Sequence, residues 1–98
     1  MLLKVHESYR KVVALCDSEL LGRKLEEGKR QLEVGEHFFK GDEVSHDEAV
    51  ARLRQLALDD STFNIVGEKS VRVAVEAGIL EEGGFSEIEG VKFGLVLL

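Results

Sequence analysis

Residues 45–57 constrain the fold more than any other stretch of the chain. Ser45-His46-Asp47-Glu48 is a capping box, with Ser45 as N-cap and Glu48 at the third helical position. Ala49, Val50, Leu53, Leu56 and Ala57 follow at i, i+1, i+4, i+7 and i+8, one continuous stripe on a helix. Asp59-Asp60-Ser61 ends it. The spacing predicts an amphipathic helix over residues 45–58, whose stripe needs a second layer to bury it.

The flanking segments supply that layer as strands. Residues 2–6 (Leu-Leu-Lys-Val-His) and 12–16 (Val-Val-Ala-Leu-Cys) are short, β-branched and bounded by polar residues, and Glu7 to Lys11 suit a hairpin loop. With His6 opposite Val12, Leu3 faces Leu15 and Val5 faces Val13, which makes one buried face. Lys4, His6, Val12, Ala14 and Cys16 then point the other way. Asp17 or Ser18 can cap a single turn through Glu19-Leu20-Leu21, ended by Gly22. Residues 23–34 are ambiguous: Gly28 interrupts a helix, and Gln31-Leu32-Glu33-Val34 alternates like a strand. Gly35 to Asp42 is expected to be a loop that buries Phe38 or Phe39.

A second helix is expected from about Gly67 to Ala77, with Val71, Ala74 and Val75 inward. Glu68–Arg72 and Arg72–Glu76 would be ion pairs on its outer side, and Gly78 its C-cap. Phe85–Glu89 and Val91–Leu97 form a closing hairpin around Glu89-Gly90, and the apolar last strand fits the interior of a sheet. The order β-β-(short α)-β-α-α-β-β gives a single α+β domain over residues 1–98. It is a small mixed or antiparallel sheet built from N- and C-terminal hairpins, with two main helices packed on one face. The expected core is Leu3, Val5, Val13, Leu15, Ala49, Val50, Leu53, Leu56, Val71, Ala74, Val75, Leu95 and Leu97.

Composition narrows the function classes. With 44% hydrophobic and 33% charged residues the chain is globular rather than disordered. No apolar run approaches the roughly 18 residues of a membrane span. The start shows no secretory signal, and a lone Cys fits a reducing compartment, so a cytoplasmic protein with no membrane role is expected. One Asn and two Gln among abundant Glu, Lys and Arg is a pattern of proteins from hot environments, although the absence of Pro points the other way. The net charge of −6 is uneven, +1 over residues 1–40 and −7 over residues 41–98. Val73–Leu80 with the following Gly-rich turn and hairpin is similar to the end of a winged-helix domain, but that half is the acidic one, so DNA is not an expected partner. The basic pairs Arg10-Lys11, Arg23-Lys24 and Lys29-Arg30, with Tyr9 nearby, are either an RNA surface or ordinary solvated charge.

Two segments concentrate chemistry-bearing residues. Asn64, Gly67, Glu68, Lys69 and Ser70 mark a helix start: either a capped terminus or an anion site made by free N–H groups, Lys69 and Ser70. Gly67-Glu-Lys-Ser70 lacks the paired glycines of a phosphate-binding P-loop. Asn64 is the chain's only Asn, and either satisfies loop backbone in an Asx-turn or offers its amide to a ligand. Cys16-Asp17 is the other segment. A Cys16–His6 dyad fails, because the two lie about four residues apart on one strand face, roughly 13 Å at strand rise. Cys16 is expected to be core filler. The three His have no HxH or HxxxH spacing, so no metal site and no cofactor is expected.

The start Lys-Val-His-Glu-Ser-Tyr, the segment Cys16-Asp-Ser-Glu-Leu-Leu-Gly22 and Phe63-Asn-Ile-Val-Gly-Glu-Lys-Ser-Val71 resemble the archaeal domain of unknown function 424 (DUF424) family over nearly the whole chain. The resemblance implies an archaeal cytoplasmic protein associated with translation genes, and it carries over no catalytic residue. Two functional readings stand. One is a non-catalytic binding module for a protein or ribonucleoprotein partner. The other is a small enzyme or ligand-binding domain with a site formed by Cys16-Asp17 and Asn64 to Lys69.

Overall fold

The structure, a computed structural model, describes all residues from Met1 to Leu98. Strands β1 (Leu2–His6) and β2 (Lys11–Cys16) form the expected hairpin in the expected register, with Leu3 opposite Leu15, Val5 opposite Val13 and His6 opposite Val12. From Asp17 the chain makes a 3-10 turn (Ser18–Leu20), then a separate small hairpin of β3 (Lys24–Glu27) and β4 (Arg30–Glu33), which resolves the ambiguous stretch. Helix α1 (Glu36–Phe39) replaces the expected loop, burying Phe39 and half-burying Phe38. A two-residue strand β5 (Asp42–Glu43) leads into α2 (His46–Leu56), where Ser45 Oγ accepts from Glu48 N at 3.2 Å as the capping box requires.

Next comes β6 (Ser61–Val66), a strand absent from the expected order. Its sequence, Ser-Thr-Phe-Asn-Ile-Val, is β-branched and alternates as a strand does. It is central: it lies parallel to β2 on one side and antiparallel to the last strand on the other. Parallel neighbours need a long crossover, and residues 17–60 provide it. Helix α3 (Glu68–Glu76) follows, then β7 (Ser86–Ile88) and β8 (Val91–Leu97), joined by a turn in which Glu89 and Gly90 have φ of 50° and 77°. Two positive φ values in a two-residue loop match the twist of the flanking strands. The six-stranded sheet runs β5-β1-β2-β6-β8-β7.

Helices cover both faces rather than one. On the first face α2 and α3 bury Leu3, Val13, Leu15, Leu53, Phe63, Ile65 and Val71. On the second face Leu20, Val34 and Phe39, from the 3-10 turn, the segment after β4 and α1, cover Leu2, Ala14, Cys16 and Val66. Interior strand β2 therefore carries apolar side chains on both sides, whereas β6 turns Thr62 and Asn64 as well as Val66 to the second face. This cover spans only part of the second face. Toward β8 the pairs Asn64–Leu95 and Thr62–Leu97 lie outside it. Leu95 and Leu97, expected in the core, are 64% and 72% exposed, because the β8 register points them to this side. Val5, Leu56 and Val75 sit half-buried at the core margin rather than inside it. Of the two expected ion pairs on α3, Glu68–Arg72 forms at 3.9 Å, whereas Glu76 turns to His46 Nε2 at 2.5 Å and so ties α3 to α2.

Candidate functional site

The site sits where the parallel strands β2 and β6 end together. Asp17 N donates to Val66 O at 3.0 Å, which extends the pairing one residue past Cys16 and delivers the Asp17 side chain to the first turn of α3. There Oδ2 accepts from Lys69 N at 3.1 Å, and Oδ1 accepts from Ser70 N at 2.8 Å and Ser70 Oγ at 2.7 Å. Asp17 or Ser18 is the expected cap of the 3-10 turn; Asp17 makes no cap bond there and caps α3 instead, 53 residues away at Ser70. A carboxylate at a helix N-terminus satisfies orphan N–H groups and complements the helix dipole.

Gly67 makes this possible. Its backbone has φ 114° and ψ 154°, and a Cβ placed on it would lie 2.3 Å from the Asp17 carboxyl carbon. At this terminus the protein's own Asp17 carboxylate fills the capping position. Of the sequence-derived residues, Asp17, Gly67, Lys69 and Ser70 come together, and Cys16 lies directly beneath. Asn64 does not join them. It stands within β6, half-buried on the second face between Ala14 and Leu95, and is not in an Asx-turn.

Cys16 is fully buried, and burial, reinforced by the adjacent Asp17 carboxylate, pushes its thiol up to about 11. It is protonated at neutral pH and a poor nucleophile. His6, the nearest histidine in the hairpin, is engaged elsewhere: its Nε2 is 2.9 Å from Phe38 O, and its ring stacks on Phe38 at 4.7 Å. His, Cys, Asp and Glu side chains nowhere converge in threes.

Outside the clasp the surface is open and charged. Asp17, Glu19, Lys69, Val91 and Lys92 border a shallow depression of about 220 Å³. Across a ridge formed by Glu68 and Lys92, 3.7 Å apart, lies a wider one of about 390 Å³ between α3, the loop before β7 and β8. Val71, Val75 and Phe85 give it an apolar floor, with Arg72, Glu82 and Lys92 on its rim. Lys92 Nζ sits 5.0 Å from the centre of the Phe85 ring, in cation–π range. Phe85, Glu82 and Lys92 had not been singled out, because only the fold brings residues 82–92 against α3. The basic pairs are divided: Arg10-Lys11 stands at the start of β2, whereas Arg23-Lys24 and Lys29-Arg30 belong to the separate β3–β4 hairpin, and Lys11 pairs with Asp59, Lys24 with Glu26 and Arg30 with Glu27.

Residues 5–97 match the family described as Protein of unknown function (DUF424). The chain belongs to the DUF424 family. Its fold also has a solved counterpart, described as an uncharacterized conserved protein from Methanopyrus kandleri. The two share 31% identity and a TM-score of 0.86, over 98% of this chain and 90% of that one. No curated protein matches this DUF424 chain.

Proposed function

We propose that this DUF424 protein is a non-catalytic binding module, and that a protein or ribonucleoprotein partner docks on the α3–β8 rim. One observation carries the reading: the buried groups that chemistry would need are already bonded, and the charged groups left over stand on an open surface. Both Asp17 oxygens are occupied by α3, and the Cys16 thiol is sealed. Arg72 and Lys92 alternate with Glu68 and Glu82 around an apolar floor, and Lys69 stands beyond the ridge on the neighbouring depression. A mixed-charge rim about an aromatic centre is the composition of a protein docking surface. The enzyme or ligand-site reading is less favoured, since Asn64 lies away from the clasp on the second face.

An archaeal, cytoplasmic setting and a translation-linked partner belong to the same proposal, supported by the family resemblance and the archaeal source of the solved relative. The test is co-sedimentation of the purified chain with archaeal ribosomal subunits and with the factors washed from them. Retention is expected, and Lys92→Ala is expected to weaken it about tenfold, since Lys92 borders both depressions and stacks on Phe85. Lys69→Ala should weaken it while leaving the melting temperature nearly unchanged. Equal retention of wild type and both variants would move the surface elsewhere, and no retention on any of these particles would remove the translation link.

A further inference from the structure

We propose that a second copy of this chain pairs with the free edge of β8, antiparallel and centred on Val96. β7 takes that edge only opposite Val91 to Phe93, so residues 94–98 have no strand beside them. Leu98 N–H donates to Ser61 and Lys92 C=O accepts from Gly67, so the even-numbered residues of β8 face β6. The N–H and C=O groups of Leu95 and Leu97 consequently point to the open side.

An open edge of this kind is normally guarded by Lys, Pro, a bulge or a covering loop. Phe93-Gly-Leu-Val-Leu-Leu98 contains no charge and no Pro. In a chain of net charge −6, this neutral strip is where two copies can approach with least repulsion. Self-pairing must match outward-facing residues with outward-facing residues and leave β7 in place. Centring on Val96 does both, setting Leu95 against the partner's Leu97 twice and Gly94 against the partner's Leu98. The five open residues of one copy are filled by the same five of the other. The isologous contact also lays four leucines that are exposed in the single chain side by side on the second face.

Five residues of strand fall short of the roughly 800 Å² per partner of a standard interface, so the dimer is concentration-dependent. Screening the repulsion between like-charged copies makes it tighter as salt rises. Sedimentation equilibrium from low micromolar to submillimolar protein is expected to show the mass climb from 10.9 kDa toward twice that value. Leu97→Lys, at an already exposed position, should keep the wild-type melting temperature and stay at one-copy mass. Only Val96 meets itself across the two-fold axis, as a close pair without mutual hydrogen bonds. Val96→Cys should therefore form a disulfide-linked dimer under mild oxidation much faster than Leu95→Cys, and Cys16 is too buried to interfere. One-copy mass of the wild type at every concentration would overturn the proposal. So would a dimer that survives Leu97→Lys, or equal cross-linking of the two cysteine variants.

Discussion

The Asp17 clasp makes two residues interdependent in a way that mutation can read. Asp17→Ala removes three hydrogen bonds, including one to the buried Ser70 hydroxyl, and is expected to cost about 2–3 kcal/mol in urea unfolding. Gly67→Ala should cost more, since its Cβ meets the carboxylate and its φ of 114° is unsuited to Ala. In the double variant the Cβ contact with the carboxylate is gone and only the backbone strain persists. The two effects are therefore expected to be less than additive, with a coupling of about 1 kcal/mol or more. Strict additivity would mean that the close approach at Gly67 contributes nothing.

Cys16 adds a pH signature at the same scale. An unfolded thiol ionises near its ordinary value of 9.0, whereas the folded one holds its proton to about 11. The fold therefore keeps the full contribution of this protonated thiol below pH 9 and loses it as pH rises from 9 toward 11. The loss is up to roughly 2–3 kcal/mol, at 1.36 kcal/mol per unit. Denaturant midpoints measured across that window should fall more steeply for the wild type than for Cys16→Ala. Parallel slopes would show that the thiol ionises equally easily in both states.

Among the elements, α2 is the one most plainly written in the sequence, and Leu53 is its most deeply buried large side chain. Leu53→Ala is expected to lower stability by about 2–5 kcal/mol, with a matching drop in melting temperature. An unchanged melting temperature would contradict the packing of α2 on the sheet. The capping box and the 3.6-residue stripe are local signals, and so is the β1–β2 register, because a hairpin aligns near neighbours. β6 was overlooked for the opposite reason. Its partners β2 and β8 are distant in sequence, and Asn64 reads together with Gly67 to Ser70 as a helix start. Leu95 and Leu97 failed as core positions because an apolar strand does not state how far the cover on its second face extends. Asp17 was legible as a cap, though not as the cap of α3, since nothing in the chain near Asp17 names its partner.

The whole molecule is a sheet with unequal covers, fourteen buried residues packed together on the α2–α3 side and seven on the other. The smaller cover is held by α1, the 3-10 turn and the segment after β4, with Arg30 bonding Glu87 O and Glu26 N donating to Glu89 at the periphery. Such a layer opens at lower free energy than the whole fold. Cys16 lies beneath it and reports on it. Thiol labelling at neutral pH should proceed through an opening with a small denaturant dependence, and Phe39→Ala should accelerate it more than Leu53→Ala does. Labelling that tracks global unfolding in every variant would show that the two covers open together.

The parallel pairing of β2 with β6 also sets the order in which the chain can assemble. Lys11 meets Ser61 and Cys16 meets Val66, fifty positions along in every case. Closing a loop of that size costs roughly 3.5 kcal/mol of chain entropy before the central contact returns anything. The two terminal hairpins close locally and can form ahead of it, so the slow event is their joining through β6. At a synthesis rate of about 5–20 residues per second, β2 emerges several seconds before the strand that completes it. Throughout that interval Val13, Leu15 and Cys16 belong to a nascent hairpin with an unpaired inner edge. The chain is most exposed to misassociation during its own translation, in the window between residue 16 and residue 66.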